Sequence, residues 1–176
     1  MPQAVFHIIF AILIAEFIRE FMVDKKKFPV YYVFIAGISG ILPDLDIALY
    51  SILSFFGFTI NEVHRTFTHS IFVPIIFLIL AALTWKFKSR NFGKHHLKLH
   101  IIFLMIALGI VTHVFLDFLS GSLLLFYPVS LLSYGLNLAR FIPSQLKDIF
   151  FPSLDAGILI LWLIWLEARH RISNFI

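Results

Sequence analysis

Several apolar runs of bilayer length constrain this chain more than any other feature of its sequence. They cover approximately residues 4–22, 30–58, 67–85, 99–119 and 156–166. With 60% hydrophobic and 14% charged residues, the chain is also more apolar than soluble domains of this length. Since a membrane-crossing helix needs about 20 apolar residues, we expect an all-α, polytopic transmembrane helical bundle of about five spans. Residues 1–176 should then form a single integral membrane domain.

The stretch 122–155 is apolar but is interrupted by Pro128, Pro143 and Pro152. Proline removes a backbone donor and breaks a helix. Two interpretations of this stretch stay open. It is either an interfacial or re-entrant segment, or it contains a sixth span over residues 123–142.

Basic residues at the ends of the apolar runs indicate the orientation in the membrane. If successive runs cross in alternate directions, most of the 14 Lys and Arg residues lie on one side. The other side holds Arg65, Arg140 and Lys147. Cytoplasmic loops are enriched in Lys and Arg, so we expect a plasma or inner membrane location with the N-terminus outside. A sixth span would leave the number of Lys and Arg residues on each side unchanged.

Charge and cysteine content exclude several other classes of protein. The net charge of +4 comes mainly from basic residues that flank apolar runs, so we expect no nucleic-acid partner. The chain has no cysteine, which excludes disulfides, thiolate metal sites and a cysteine nucleophile.

Ionisable side chains recur at one depth, just below the outer surface, in four separate segments. Such groups are costly inside a membrane and indicate function. They are His7; Asp44 and Asp46; His64 and His69; His113 and Asp117. Residues scattered by chance would not share one level. We therefore expect the four segments to form one site that faces the non-cytoplasmic side.

The residue types at this depth indicate a metal site. Histidine nitrogen and aspartate oxygen, without sulfur, suit Zn²⁺ in a catalytic centre, or Mn²⁺ or Fe. His113 and Asp117 are four residues apart and share one helix face. The same spacing places Arg65 beside His69, where its guanidinium fits a phosphate group. Both Asp44 and Asp46 follow Pro43, which breaks the helix, and the choice between them as ligand stays open.

Some polar residues near the site have local structural explanations. Thr59 and Glu62 match a capping box. Thr66 and Thr68 are interpreted as caps at the start of a helix. Gly40 is interpreted as a position where two helices pack closely.

Three motifs in order resemble a known family. "GILPDLD" (40–46), "HRTFTHS" (64–70) and "HVFLDFLSGSLLLFYP" (113–128), preceded by His7, are similar to the YdjM-type membrane-bound metal-dependent hydrolases. That family in turn is similar to zinc-dependent phospholipase C and P1-type nucleases. The resemblance covers residues 7–128, and Thr66 stands where the family pattern has a glycine. It implies one or two metal ions, with ligands His7, Asp46 or Asp44, His69, His113 and Asp117.

We expect a metal-dependent hydrolase that cleaves a phosphoester of a lipid or isoprenoid at the outer leaflet, with the bilayer as its environment. Besides the ligands, Arg65, Asp44 and His64 are the expected catalytic residues. The alternative is a proton or metal ion transporter that uses the intramembrane His and Asp. Against it, the cytoplasmic halves of the spans carry few ionisable residues apart from Glu16 and Arg19. A scaffold with a structural metal is a further alternative.

Overall fold

The computed structural model describes residues 4–87, 90–92 and 95–170, and these are mainly helical, as predicted. The α-helices are α1 Ala4–Phe21, α2 Tyr31–Ser39, α3 Leu45–Leu53, α4 Ile60–Val63, α5 Phe72–Leu83, α6 Leu99–Ser120 and α7 Ser144–His170. Short 3₁₀ helices cover Ser54–Phe56, Phe67–His69 and Leu138–Phe141. Two short antiparallel strands, β1 Arg90–Phe92 and β2 His95–Leu97, connect α5 to α6.

Two of the described helices are long and apolar enough to cross a bilayer alone. They are Leu99–Ser120 and Ser144–Arg169. By contrast, α5 has 12 residues and is about 18 Å long, shorter than a hydrocarbon core of about 30 Å. The predicted number of five spans is therefore not confirmed by helix length.

The second apolar run is divided into two helices at Pro43. Between α2 and α3 the backbone forms tight turns, in which Leu42 N donates to Ser39 O and Asp44 N donates to Ile41 O. Proline has no N–H to continue an α-helical ladder. The predicted break is confirmed, and it places Asp44 at the N-cap of α3.

The segment after α6 is not a sixth helical span, so that alternative is wrong. An isolated bridge pairs Leu123 with Tyr134, and the only helix within 123–142 in this described part is Leu138–Phe141. The apolar side chains of the segment after α6 include Val129, which is 80% exposed, and Phe141, which is 70% exposed. The last helix, α7, then begins at Ser144 rather than near Ala156, and Pro152 lies inside it.

Helix α6 lies at the centre of the molecule and packs against α1, α2 and α5. Its contact with α2 is close because Gly109 lacks a side chain. A Cβ at Gly109 would lie 2.7 Å from Ser39 Cβ and 2.8 Å from Gly40 N, and it would also meet Ala36 O. This close approach of the two backbones brings the end of α2 beside the polar residues of α6.

We expect the substitution Gly109→Ala to destabilise the protein by about 1–3 kcal/mol, the usual cost of overpacking a filled core. Gly157→Ala, in α7, is the matched control because no atom lies within 4 Å of the added Cβ. The control should be neutral or slightly stabilising, since glycine disfavours helices. Thermal unfolding in detergent measures both variants. Equal melting temperatures for the two would contradict the close packing of α6 on α2.

Candidate metal centre

The predicted site residues come together at one end of the bundle. His7 lies in the first turns of α1, Asp44 and Asp46 at the start of α3, and His113 and Asp117 near the end of α6. His64, Arg65 and His69 come from the segment between α4 and α5. The His7, His69 and His113 side chains are almost completely buried.

The ring nitrogens of His69 and His113 face each other across this cluster. Their Nε2 atoms are 3.2 Å apart. His113 Nδ1 lies 2.8 Å from Gly40 O, an oxygen that can only accept, so Nδ1 carries the proton and Nε2 a lone pair. The Thr68 hydroxyl donates to Asp46 at 2.7 Å, so its oxygen can accept the Nδ1 proton of His69 at 3.0 Å. In the neutral forms of both rings, the two Nε2 atoms therefore present lone pairs.

Two carboxylates point at the same two nitrogens. Asp44 Oδ1 lies 3.5 Å from the Nε2 atoms of both His69 and His113. Asp117 Oδ2 lies 3.6 Å from His69 Nε2 and 3.9 Å from His113 Nε2. In that protonation state the four acceptor atoms repel one another unless a proton or a metal cation lies between them. This donor set fits a divalent metal ion.

His7 extends the cluster toward a second position. Its ring stacks on His113 with centroids 4.0 Å apart, and His7 Nε2 lies 3.8 Å from Asp117 Oδ1. His7, Asp44 and His113 offer ligand atoms within 4.8 Å of one another, as do His69, His113 and Asp117. His113 belongs to both of these groups, and Asp117 also contacts His7. The cluster could therefore hold one ion or two neighbouring ions.

Asp46 organises the segment that carries His69 instead of joining these convergent groups. Its carboxylate accepts hydrogen bonds from His64 Nδ1 at 2.8 Å and from the backbone N–H of Arg65 at 3.2 Å. It also accepts the Thr68 hydroxyl, and lies 3.4 Å from His69 Nδ1. A third group of convergent ligand atoms joins Asp44, His64 and His69, so among the described residues two of the three groups able to hold a metal contain Asp44 and none contains Asp46.

The three expected catalytic residues form the accessible edge of the cluster. The side chains of Arg65, His64 and Asp44 are 21%, 22% and 25% exposed, whereas those of the other site residues are at most 4% exposed. Arg65 Nη2 lies 3.3 Å from Asp117 Oδ2. A molecule that approaches from this edge would meet the guanidinium, the imidazole and the Asp44 carboxylate first.

The backbone of the segment before His69 is held in unusual conformations. Arg65 has a φ of 65°, in the left-handed region that non-glycine residues rarely adopt. Thr66, where the family pattern has a glycine, has a φ of −99° and a ψ of −107°, and its hydroxyl donates to Val63 O at 2.7 Å. Strained residues such as Arg65 cluster at functional sites.

The short helix α4 shapes the start of this segment, and its predicted capping box is confirmed. The backbone N–H and the hydroxyl of Thr59 donate to the Glu62 carboxylate at 2.7 and 2.8 Å. These hydrogen bonds lower the pKa of Glu62 below its ordinary value. The cap directs the chain into the turn that carries His64 and Arg65.

Two contributors to the cluster were not predicted as site residues. The sequence predicts Thr68 as a helix cap, but its hydroxyl connects Asp46 to His69. It predicts Gly40 as a packing position, and the Gly40 carbonyl also orients His113. The position of Thr68 next to a candidate ligand was an available signal. Nothing in the local sequence marked the Gly40 carbonyl, which is 73 residues from its partner.

The model of one protein family, the YdjM inner membrane protein, matches residues 1–171 of the chain. The chain belongs to this family. The resemblance seen in the three motifs is confirmed, and the match extends beyond them to α7. No curated protein and no solved structure matches the chain.

Family membership and composition agree on the environment of the protein. The family is described as an inner membrane protein, and α6 and most of α7 have the length and composition of spanning helices. The chain is therefore a membrane protein with a buried His/Asp cluster that could bind a metal ion.

Proposed function

We propose that this protein is a metal-dependent hydrolase that cleaves a phosphoester of a lipid or isoprenoid at the non-cytoplasmic face of the membrane. The observation that carries the proposal is the convergence of two histidine lone pairs and two carboxylates. They lie in a buried cluster beside a partly exposed arginine. Intramembrane ionisable groups are retained for function.

The geometry supports His69, His113, Asp44 and Asp117 as ligands of one divalent ion, with His7 available for a second. Zinc is favoured because nitrogen and carboxylate ligands suit it and no thiolate is present; Mn²⁺ and Fe fit the same donors. Asp46, one of the two aspartates between which the sequence left the choice of ligand open, is better placed to orient His64 and His69. Carboxylates that orient metal-binding histidines in this way are common.

The accessible side chains have distinct roles in the proposed reaction. A bound divalent ion would supply an activated water molecule and stabilise charge on a phosphoryl oxygen. Arg65 would bind a second phosphoryl oxygen through its planar guanidinium group. His64 donates its Nδ1 proton to Asp46, so its Nε2 can accept a proton from the attacking water. Asp44, 25% exposed, would position the attacking water on the substrate side.

Charge along the helices supports the proposed orientation. His7 and Arg19 lie about 18 Å apart along α1, and Lys98 and His113 about 22 Å apart along α6. In both helices the basic residue lies at the end away from the cluster. By the positive-inside rule the cluster then faces outward. We propose five passes, in which α2 with α3 makes the second, and the 64–71 segment with α5 the third.

Apolar cavities beside the cluster support a lipid substrate. One of about 280 Å³ lies between α6, the 138–141 turn and α7, and includes Leu116, Leu119 and Phe151. Another of about 280 Å³ lies between α5 and α6 and includes Val114 and Phe118. Val114, Leu116 and Phe118 lie on the same turns of α6 as His113 and Asp117, so hydrocarbon chains in these cavities would pack along the part of the helix that carries two of the proposed ligands.

Phosphoester hydrolysis by detergent-purified protein tests the proposal. The protein is stripped with a chelator and refilled with zinc or manganese. It is then assayed for phosphate or phosphorylated headgroup released from phosphatidic acid, phosphatidylglycerol and isoprenyl phosphates. We expect release only after refilling. A refilled protein that binds metal but releases nothing would contradict the hydrolase. Metal-dependent proton flux in liposomes would instead support the transporter.

We expect Asp46→Asn to weaken metal affinity by about tenfold to a hundredfold, the usual cost of losing a carboxylate that orients a ligand. The amide cannot accept all the hydrogen bonds from His64, Arg65 and Thr68 that hold His69. Competition with a calibrated zinc chelator measures the affinity. Asp148→Asn, at an exposed position of α7, is the control. If both variants bind zinc with the affinity of the wild type, an orienting role for Asp46 is excluded.

A further inference from the structure

We propose that the protein binds an anionic phospholipid at a second site, a basic pocket at the end of the bundle away from the metal centre. The pocket lies where α1 ends and α2 begins and has a volume of about 500 Å³. Its lining includes Arg19, Lys25, Lys26, Val30, Tyr31 and Phe34. Basic pockets at the ends of transmembrane helices recognise anionic headgroups.

The three basic side chains of the pocket are anchored to different degrees. Arg19 donates from Nε to Phe28 O at 3.1 Å, and its Nη1 lies 3.5 Å from Glu20 Oε1. The ammonium of Lys25 lies 2.6 Å from Glu20 Oε2. Within the described part of the chain, the Lys26 ammonium has no carboxylate within 4.0 Å. Arg19 is thus a fixed cation, and Lys26 supplies charge that the protein itself does not neutralise.

The pocket continues into an apolar cleft, which favours a lipid over a soluble anion. Val30 and Phe34 line both the basic pocket and a cleft of about 150 Å³ between α1, α2 and α7, whose lining is apolar apart from Glu16 and includes Trp162. Phe34 is 53% exposed, and Ile38, one turn further along α2, is 66% exposed. A phosphate among the basic groups would therefore have its acyl chains directed along this apolar face.

Lipid retention by the full-length protein tests the second site. The protein is purified from nanodiscs of phosphatidylcholine that contain phosphatidylglycerol, and native mass spectrometry counts the lipids that stay bound. We expect one phosphatidylglycerol to be retained in preference to phosphatidylcholine. Removal of one basic charge at the site should weaken retention by about fivefold. Lys26→Gln is the test variant, since its side chain is exposed and its loss should not affect folding.

Lys27→Gln is the matched control, because Lys27 is the next residue but does not line the pocket. A smaller effect of Lys27→Gln than of Lys26→Gln supports the site. Equal losses in both variants would show general surface attraction and overturn it. Displacement of the lipid by millimolar inorganic phosphate, or equal retention of phosphatidylcholine, would also overturn a lipid site. The comparison of the two lysine variants needs no metal and changes residues away from the metal centre, so its outcome is independent of the proposed hydrolase.

Discussion

His113→Ala and His69→Ala should each abolish stoichiometric metal binding. The two Nε2 atoms are 3.2 Å apart and share the Asp44 and Asp117 carboxylates, so removal of either ring leaves one nitrogen among the proposed ligands, and the ion should be lost during purification. Elemental analysis of detergent-purified protein measures the effect. We expect about one or two equivalents of transition metal in the wild type and only background in both variants.

The control for this prediction is His100→Ala. His100 is a buried histidine of the same helix, at the opposite end from His113, and its ring packs on Trp85 with centroids 4.7 Å apart. The variant should keep its metal. Wild-type protein that stays metal-free after refilling with zinc or manganese would refute the metal centre and leave the His/Asp cluster as a structural or proton-conducting network.

Arg65→Ala should lower kcat for phosphoester hydrolysis by about a hundredfold to a thousandfold, the usual loss when one donor to a developing oxyanion is removed. Arg65 Nη2 lies 3.3 Å from Asp117 Oδ2, and the side chain lies at the accessible edge of the cluster. The metal content should stay near that of the wild type, because Arg65 supplies no metal ligand. Arg65→Lys should recover only part of the rate, since an ammonium cannot bind a phosphate bidentately.

Arg140→Ala is the matched control for Arg65. Arg140 is the other arginine predicted on the outer side, and its guanidinium lies 4.8 Å from the centre of the Phe141 ring, outside the metal cluster. Its loss should leave kcat unchanged. Loss of metal in Arg65→Ala would show that the arginine mainly positions Asp117. An unchanged rate would remove Arg65 from the proposed mechanism.

The residues of the candidate site were accessible to sequence analysis because membrane burial makes them conspicuous. A histidine or aspartate in an apolar run is costly unless it is used, so His7, His113 and Asp117 stood out without any knowledge of the fold. Their common depth followed from helical rise alone. The roles of these residues as ligands stay a prediction until the metal content is measured.

The distinction between Asp44 and Asp46 was not accessible in this way. The two carboxylates are two residues apart, and their directions depend on the turn at Pro43 and on the segment that packs over it. In the folded protein Asp44 faces the Nε2 atoms, whereas Asp46 accepts hydrogen bonds from His64 and Thr68. These partners are 18 and 22 residues further along the chain from Asp46.

The chain's composition and periodic apolar runs established a helical membrane protein, and its three motifs indicated the family. These are local properties, because helix formation and membrane burial depend on the nature of nearby side chains. Tertiary contacts established the irregular path of residues 122–137 and the orientation of His113 by Gly40. Each of these depends on the approach of distant segments, such as α6 to α2 at Gly109, which no local pattern specifies.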